Sequence, residues 1–247
     1  MRPIGIVSAL PAEARALGPS APHGAELRRL DEGALLAVSG MGRAAAAAAA
    51  RRLVLAGARA LVSFGMAGGL DPTLICGTVL LPEEVAAADG TVPDVLPTSG
   101  DWRQRLRAAM PGTCLVCCGR LLTSRQPIAR PAAKADAWRH TGAVAVDMES
   151  AAVSQVAAQA GLPFIALRVI VDTAADELPA AVIAASAGGG LRVGRLIGGL
   201  LRAPADVAPL IRLSARYRIA TRMLAAVVAA DSLARRVLLG GPEAEVS

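Results

Sequence analysis

Apolar positions in this chain fall into short continuous runs, separated by turn signals and by longer stretches with helical spacing. Ile4 to Ser8, Ala60 to Phe64, Thr78 to Leu81, Cys114 to Cys118 and Arg120 to Ser124 read as strands. Glu26 to Leu30 and Ala34 to Val38 flank Asp31-Glu32-Gly33, which reads as a hairpin with glycine in its turn. Pro11 opens a helix whose first turn carries Glu13, and the alanine run from Ala44 to Ala50 is a strong helix former. Further helices are predicted over Trp102 to Met110 and Arg130 to His140, whereas Ala86 to Asp101 is polar, with Gly and Pro, and reads as a surface loop. After a loop over Thr173 to Leu178, two helical stretches follow, roughly 179–201 and 204–239, with Gly188 to Gly190 interrupting the first. The second interleaves arginines with Leu213, Ile219, Met223 and Val227, the pattern of an amphipathic helix docked on the domain, with membrane contact as the alternative. The tail from Pro242 to Ser247 is expected to fray.

The pattern centres on Val144 to Asp172. A short apolar strand ends in Asp147-Met148-Glu149, an alanine-rich helix follows, and the next strand, Phe164 to Val171, has Arg168 as its only polar side chain before Asp172. Ligands of α/β sheets bind at the carboxyl ends of strands, so Asp147, Glu149 and Asp172 are candidates for one pocket. Asp147 and Glu149 also suit a helix N-terminus without any ligand. Asp172 is harder to dismiss, because a buried strand seldom ends on a charge that lacks a partner. Glu13 adds a further carboxylate just past a strand end.

Two glycine-rich stretches follow strands. Ser39-Gly40-Met41-Gly42-Arg43 has the strand, loop and helix order that cradles an anion on backbone N–H groups, although a tight turn explains it equally well. In Gly65-Met66-Ala67-Gly68-Gly69 the backbone must come close to another strand or to a ligand.

Composition narrows the classes. At 247 residues and 54% hydrophobic content the chain can bury a full core, and with no linker or repeat it reads as a single domain, 1–247, with a helical extension over 202–240. Only 2% of residues are aromatic, which argues against single-strand nucleic-acid binding despite a net charge of +6. The scattered arginines give modest weight to a phosphate or anionic-membrane partner. No apolar run reaches ~18 residues without a charge, so no spanning helix is predicted. The N-terminus resembles a first core strand more than a signal peptide, which predicts a cytoplasmic protein, with peripheral association at the inner membrane as an option. Cys76, Cys114, Cys117 and Cys118 read as structural cysteines, since no second pair or nearby histidine completes a zinc set. His23 and His140 sit in polar contexts without an obvious nucleophile.

Five ordered blocks resemble the nucleoside phosphorylase and nucleosidase superfamily, including the bacterial enzymes that cleave methylthioadenosine and S-adenosylhomocysteine. They are Gly5 to Glu13, Ser39 to Gly42, Phe64 to Leu70, Val146 to Ala152 and Arg168 to Asp172. The wording Met66-Ala-Gly-Gly-Leu-Asp-Pro72 and Thr141-Gly-Ala-Val-Ala-Val-Asp-Met-Glu-Ser-Ala-Ala-Val153 is like that of phosphorylase-like members associated with hopanoid synthesis. The resemblance implies a three-layer α/β fold, a central mixed twisted sheet flanked by helices, and a homodimer or larger assembly without cofactor or metal. It implies cleavage of an adenosyl compound, with adenosylhopane converted to ribosyl-hopane in the narrower subfamily.

Under that resemblance Glu13 and Asp172 are catalytic, and Ala67, Gly68, Ile128, Asp147, Met148 and Glu149 bind substrate. Asp172 protonates the purine at N7, anionic Glu149 grips the ribose and stabilises its developing positive charge, and Glu13 deprotonates the attacking water. Asp172 must then start protonated or share a proton, through a raised pKa. Gly42 and Arg43 keep a phosphate nucleophile open. Methionine at position 66 and a carboxylate at position 13 favour water, because Glu13 would repel phosphate. The loop Ser124 to Ile128 lacks the aromatic with which relatives stack the base. The extension beyond Leu201 is absent from the short nucleosidases, and it would border an apolar opening suited to a lipid-tailed substrate.

Overall fold

The computed structural model describes residues 2–18, 26–30, 33–88, 95–179, 207–229 and 231–242. Its first half contains β1 (Ile4–Ser8), α1 (Pro11–Ala14), β2 (Arg28–Arg29), β3 (Leu35–Val38), α2 (Arg43–Leu55), β4 (Ala60–Gly69), β5 (Val79–Leu80), β6 (Glu84–Ala87) and β7 (Leu96–Pro97). Then come α3 (Gly100–Ala108), β8 (Val116–Cys117), β9 (Arg120–Thr123), α4 (Pro131–Thr141), β10 (Ala143–Asp147), α5 (Ser150–Gln159) and β11 (Phe164–Asp172). Two helices end the described chain, α6 (Val207–Val227) and α7 (Leu233–Gly240).

The strands form one mixed sheet ordered β2-β3-β1-β4-β10-β9-β6-β7, with β11 joining β4 to β5 and β8 beyond. β4 is the hub. Along one edge it runs parallel to β1 and then antiparallel to β10, while its other edge carries β11 in parallel. Strands buried on both faces need apolar side chains on both, which is why β1, β4 and β11 read as continuous runs.

One face of the sheet packs Ile4, Val62, Phe64 and Leu167 against Ala14, Trp102, Leu106, Leu224, Val237 and Leu238 from α1, α3, α6 and α7. The other packs Leu61, Ala67 and Phe164 against α2 and α5, whose buried alanines allow close approach. This is the three-layer α/β architecture. Residues from α6 and α7 belong to the same apolar layer as the sheet, and Trp102 Nε1 ties α3 to α7 by donating to the Val237 carbonyl at 3.0 Å. Fully buried leucines such as Leu224 and Leu238 each contribute roughly 1.5–3 kcal/mol, so the C-terminal helices are part of the core.

Several expectations are corrected. The strand expected to end at Phe64 continues through the glycine stretch, so Gly65 to Gly69 is the second half of β4. The segment from Ala86 to Asp101 is not wholly loop, since the end of β6, β7 and the start of α3 fall within it. The long C-terminal stretch divides into α6 and α7 at 228–232, where the Ser232 hydroxyl caps α7 by accepting from Arg235 N at 3.0 Å. The helix expected over 179–201, with its Gly188 to Gly190 break, and the tail beyond Pro242 lie outside the described residues, as does His23. The four cysteines, read as structural core residues, are free and half-buried, and Cys114 and Cys117 pack against the core. Among the described residues no helix is long and apolar enough to cross a membrane, and no group of His, Cys, Asp and Glu is placed to hold a metal ion.

Candidate active site

The carboxyl ends of β1, β4, β10 and β11 meet above a buried polar floor. Arg168, 1% exposed, projects from the middle of β11. Its Nη2 donates to Asp147 Oδ2 at 2.6 Å, Ser63 Oγ at 2.7 Å and Ser150 Oγ at 2.9 Å, and its Nε donates to Asp147 Oδ2 at 3.0 Å. Asp147 is completed by the Thr123 hydroxyl at 2.6 Å and by the backbone N–H of Ser150. Burial alone would lower the pKa of Arg168, but the nearby Asp147, Glu149 and Glu13 carboxylates outweigh it and hold the guanidinium charged.

Two further carboxylates, Glu13 and Glu149, stand around this floor, and a third, Asp172, lies farther along β11. Glu13 lies in the first turn after β1, where Pro11 starts the helix. Its Oε1 accepts from Met66 N at 2.9 Å, and its Oε2 accepts from Leu10 N at 3.0 Å and Ser8 Oγ at 3.3 Å. Burial raises its pKa in spite of Arg168 and these donors. Glu149, at the N-cap of α5, accepts from Gly42 N at 2.7 Å. The glycine loop after β3 thus cradles an anion that the chain itself supplies. Gly42 adopts φ +95°, a conformation open mainly to glycine, and this turns its N–H toward the carboxylate. Burial and the neighbouring Asp147 push the Glu149 pKa up to about 7.

Asp172 ends β11, after the register with β4 slips between Ile170 and Asp172. Such slips often re-aim side chains beside functional sites. Its partner is Lys134 of α4, 0% exposed, whose Nζ donates to Asp172 Oδ2 at 2.5 Å, Thr173 O at 2.7 Å and Asp176 O at 2.9 Å. Burial raises the Asp172 pKa, and Lys134 opposes it.

Glu13, Glu149 and Asp172 line one cavity of about 810 Å³. Ala67, Gly68, Ile128, Asp147 and Met148 also line it, so every catalytic and substrate-binding residue named from the sequence reaches this space. The carboxylate of Asp147 is committed to Arg168 and Thr123. Of the two residues considered for a phosphate, Gly42 gives its N–H to Glu149, and Arg43 is not among the lining residues.

The glycines of β4 make room for these charges. A Cβ on Gly65 would stand 2.6 Å from Arg168 Nη1 and 2.7 Å from Glu13 Oε1, and one on Gly68 would stand 3.1 Å from Asp172 Oδ2. The close approach expected of this stretch is therefore made by the site's own side chains.

The sequence reading missed Lys134 and Tyr217, whereas the extension beyond Leu201 borders the cavity through α6, as expected. Lys134 is the only lysine among 26 basic residues, and that rarity was a usable signal. From α6, Ile211, Leu213, Ser214, Tyr217 and Arg218 border the cavity. Tyr217, the one tyrosine of the chain, supplies an aromatic that the loop Ser124 to Ile128 lacks. Its pKa is pushed up to about 12 by burial and by Glu13, which lines the same cavity.

The family model of the Phosphorylase superfamily matches residues 3–201. The chain belongs to the phosphorylase superfamily. A comparison of this phosphorylase-superfamily chain with curated proteins finds no match. Among solved structures it is similar to the 5′-methylthioadenosine/S-adenosylhomocysteine nucleosidase of Neisseria meningitidis in complex with methylthio-immucillin-A. That match has 20% identity and a TM-score of 0.67, and it covers 91% of this chain and 97% of that one. The corresponding nucleosidase of Helicobacter pylori aligns at 18% identity with a TM-score of 0.66, covering 91% and 96% of the two chains. The futalosine hydrolase of Helicobacter pylori aligns at 18% identity and TM-score 0.63, covering 86% and 97%. This superfamily member thus has the nucleosidase-type fold: a central mixed sheet flanked by helices, with the cavity at the strand ends of β1, β4, β10 and β11.

Proposed function

We propose that this chain hydrolyses the N-glycosidic bond of an adenosine-like nucleoside and releases adenine. The observation that carries the reading is the convergence of Glu13, Glu149 and Asp172 on one cavity, each with its pKa raised by burial. Breaking the bond between C1′ and N9 leaves positive charge on the ribose and negative charge on the purine. Anionic Glu149, held by Gly42 N–H, lies against the sugar and stabilises the first charge. Asp172 offers N7 a proton, so that the base departs neutral. Glu13, with its raised proton affinity, takes the proton of the water whose oxygen bonds to C1′. Three carboxylates in one cavity favour an enzyme over a ligand-binding scaffold, which has no use for them.

Water is favoured over phosphate because Glu13 fills the nucleophile side with negative charge and Glu149 takes the N–H of Gly42. The substrate read here is adenosylhopane, cleaved to ribosyl-hopane in hopanoid synthesis. The large cavity with Met41, Met66, Met148, Val171, Leu178 and Ile211 on its walls supports a greasy 5′ substituent. The reading extends to a single domain, a homodimer or larger assembly, and peripheral contact with the membrane that would hold such a lipid.

The test is to incubate purified protein with methylthioadenosine and with adenosylhopane, with and without phosphate, and to identify adenine and the sugar product. Adenine together with a free reducing sugar, independent of phosphate, is expected. A ribose 1-phosphate product would overturn hydrolysis, and no adenine from either nucleoside would overturn the enzyme reading.

A further inference from the structure

Lys134 is buried, fully bonded and untouched by the chemistry just described. A lysine with 0% exposure is rare unless paired, and the ammonium here is held by three oxygens, Asp172 Oδ2, Thr173 O and Asp176 O. Every other basic position in the chain is arginine. A planar guanidinium spreads its donors over a fork, whereas these oxygens converge on a single nitrogen, which suits a compact ammonium. We propose that Lys134 is the positioning residue of Asp172, fixing one carboxylate oxygen so that the other is presented to the departing base. The inference rests on the reading of Asp172 as the group that faces the purine.

The anchor extends beyond Asp172. Asp176 Oδ2 accepts from Thr173 N at 2.8 Å and from the Thr173 hydroxyl at 2.7 Å, and it pairs with Arg216 of α6. Lys134 therefore joins α4, the end of β11 and the loop after it, and through Arg216 it meets the helix that borders the cavity. Without Lys134, Asp172 would keep its burial but lose its ammonium partner.

The charged and titratable groups that act on Asp172 are Lys134 from α4, Arg216 from α6 and Cys76 from the segment between β4 and β5, while Asp176 of the following loop shares the Lys134 ammonium through its backbone carbonyl. β4 presents Gly68 and Gly69, which carry no side chain. Lys134 is the largest of the influences that lower the Asp172 pKa, so its removal raises that pKa further. A step that needs protonated Asp172 then persists to higher pH.

The experiment compares kcat/KM and kcat across pH for adenine release by wild type, Lys134→Met, Lys134→Arg and Asp172→Asn, with folding checked by circular dichroism. In Lys134→Met the alkaline limb should move up by about one pH unit or more, and kcat should fall at least about tenfold as the carboxylate loses its anchor. Lys134→Arg keeps the charge, so its limb should stay near that of wild type while kcat falls. If Lys134→Met does not fold, Lys134→Arg decides alone. Wild-type kcat in that variant overturns the proposal, and so does an unmoved limb with unchanged kcat in a folded Lys134→Met. Asp172→Asn separates the two readings. If it retains activity the role given to Asp172 fails, whereas an inactive Asp172→Asn beside fully active lysine variants leaves that role standing and removes Lys134.

Discussion

Replacing Arg168 by methionine tests the floor beside Asp147, Glu149 and Glu13. The substitution keeps an unbranched chain of similar length and removes the charge, together with four donated hydrogen bonds to Asp147, Ser63 and Ser150. Asp147 would then keep Thr123 Oγ1 and Ser150 N as donors while its side chain remains 1% exposed. Breaking a buried pair from one side costs about 3–5 kcal/mol, because the remaining charge can reach neither water nor a counter-ion. For a chain of this size that corresponds to a drop in Tm of about 6–20 °C, at roughly 2–4 °C per kcal/mol. Thermal unfolding at pH 7 followed by circular dichroism gives the value. The double variant Asp147→Asn with Arg168→Met should recover part of the loss, since the stranded charge is gone. If Arg168→Met melts within about 2 °C of wild type, or if the double variant is no more stable than it, the ion pair does not hold the floor together and the reasoning fails.

Other outcomes follow from the same geometry. Glu149→Gln keeps an acceptor for Gly42 N–H and removes the charge, so adenine release should fall roughly 10²–10³-fold. The wild-type rise in kcat/KM as pH passes about 7 should flatten in this variant. The accompanying stability effect has a definite sign. Because the Glu149 pKa is raised from 4.5 to about 7, its contribution to stability is complete below the lower value and lost as pH climbs through the higher one. At most about 3–4 kcal/mol is involved, at roughly 1.4 kcal/mol per pH unit. Wild-type Tm should therefore fall more between pH 5 and pH 8 than that of Glu149→Gln. Gly65→Ala should lower kcat by about a hundredfold, because the new methyl displaces the Glu13 and Arg168 side chains by a fraction of an ångström to an ångström. Wild-type turnover in that variant would show that the position of the Glu13 carboxylate does not matter.

Much of the layered fold was legible because strands covered on both faces must be apolar throughout and alanine-rich segments must be helical. The runs at Ile4 to Ser8 and Phe164 to Val171 have few other solutions. The glycines of Gly65 to Gly69 misled for a specific reason. Glycine usually ends a strand, yet here it continues one, since the charged ends of Glu13, Arg168 and Asp172 occupy the space that side chains on β4 would fill.

By itself, the sequence determined the alternation of strands and helices and the positions of Glu13, Glu149 and Asp172 at strand ends, because local spacing and turn chemistry are written in consecutive residues. Only the tertiary structure decided the partners: Gly42 for Glu149, Arg168 for Asp147, Lys134 for Asp172 and Tyr217 at the cavity wall. Of these, Gly42 stands 107 residues from Glu149 and Lys134 stands 38 residues from Asp172. Which charge neutralises which is fixed by the sheet order that brings distant segments together, and no local pattern encodes it.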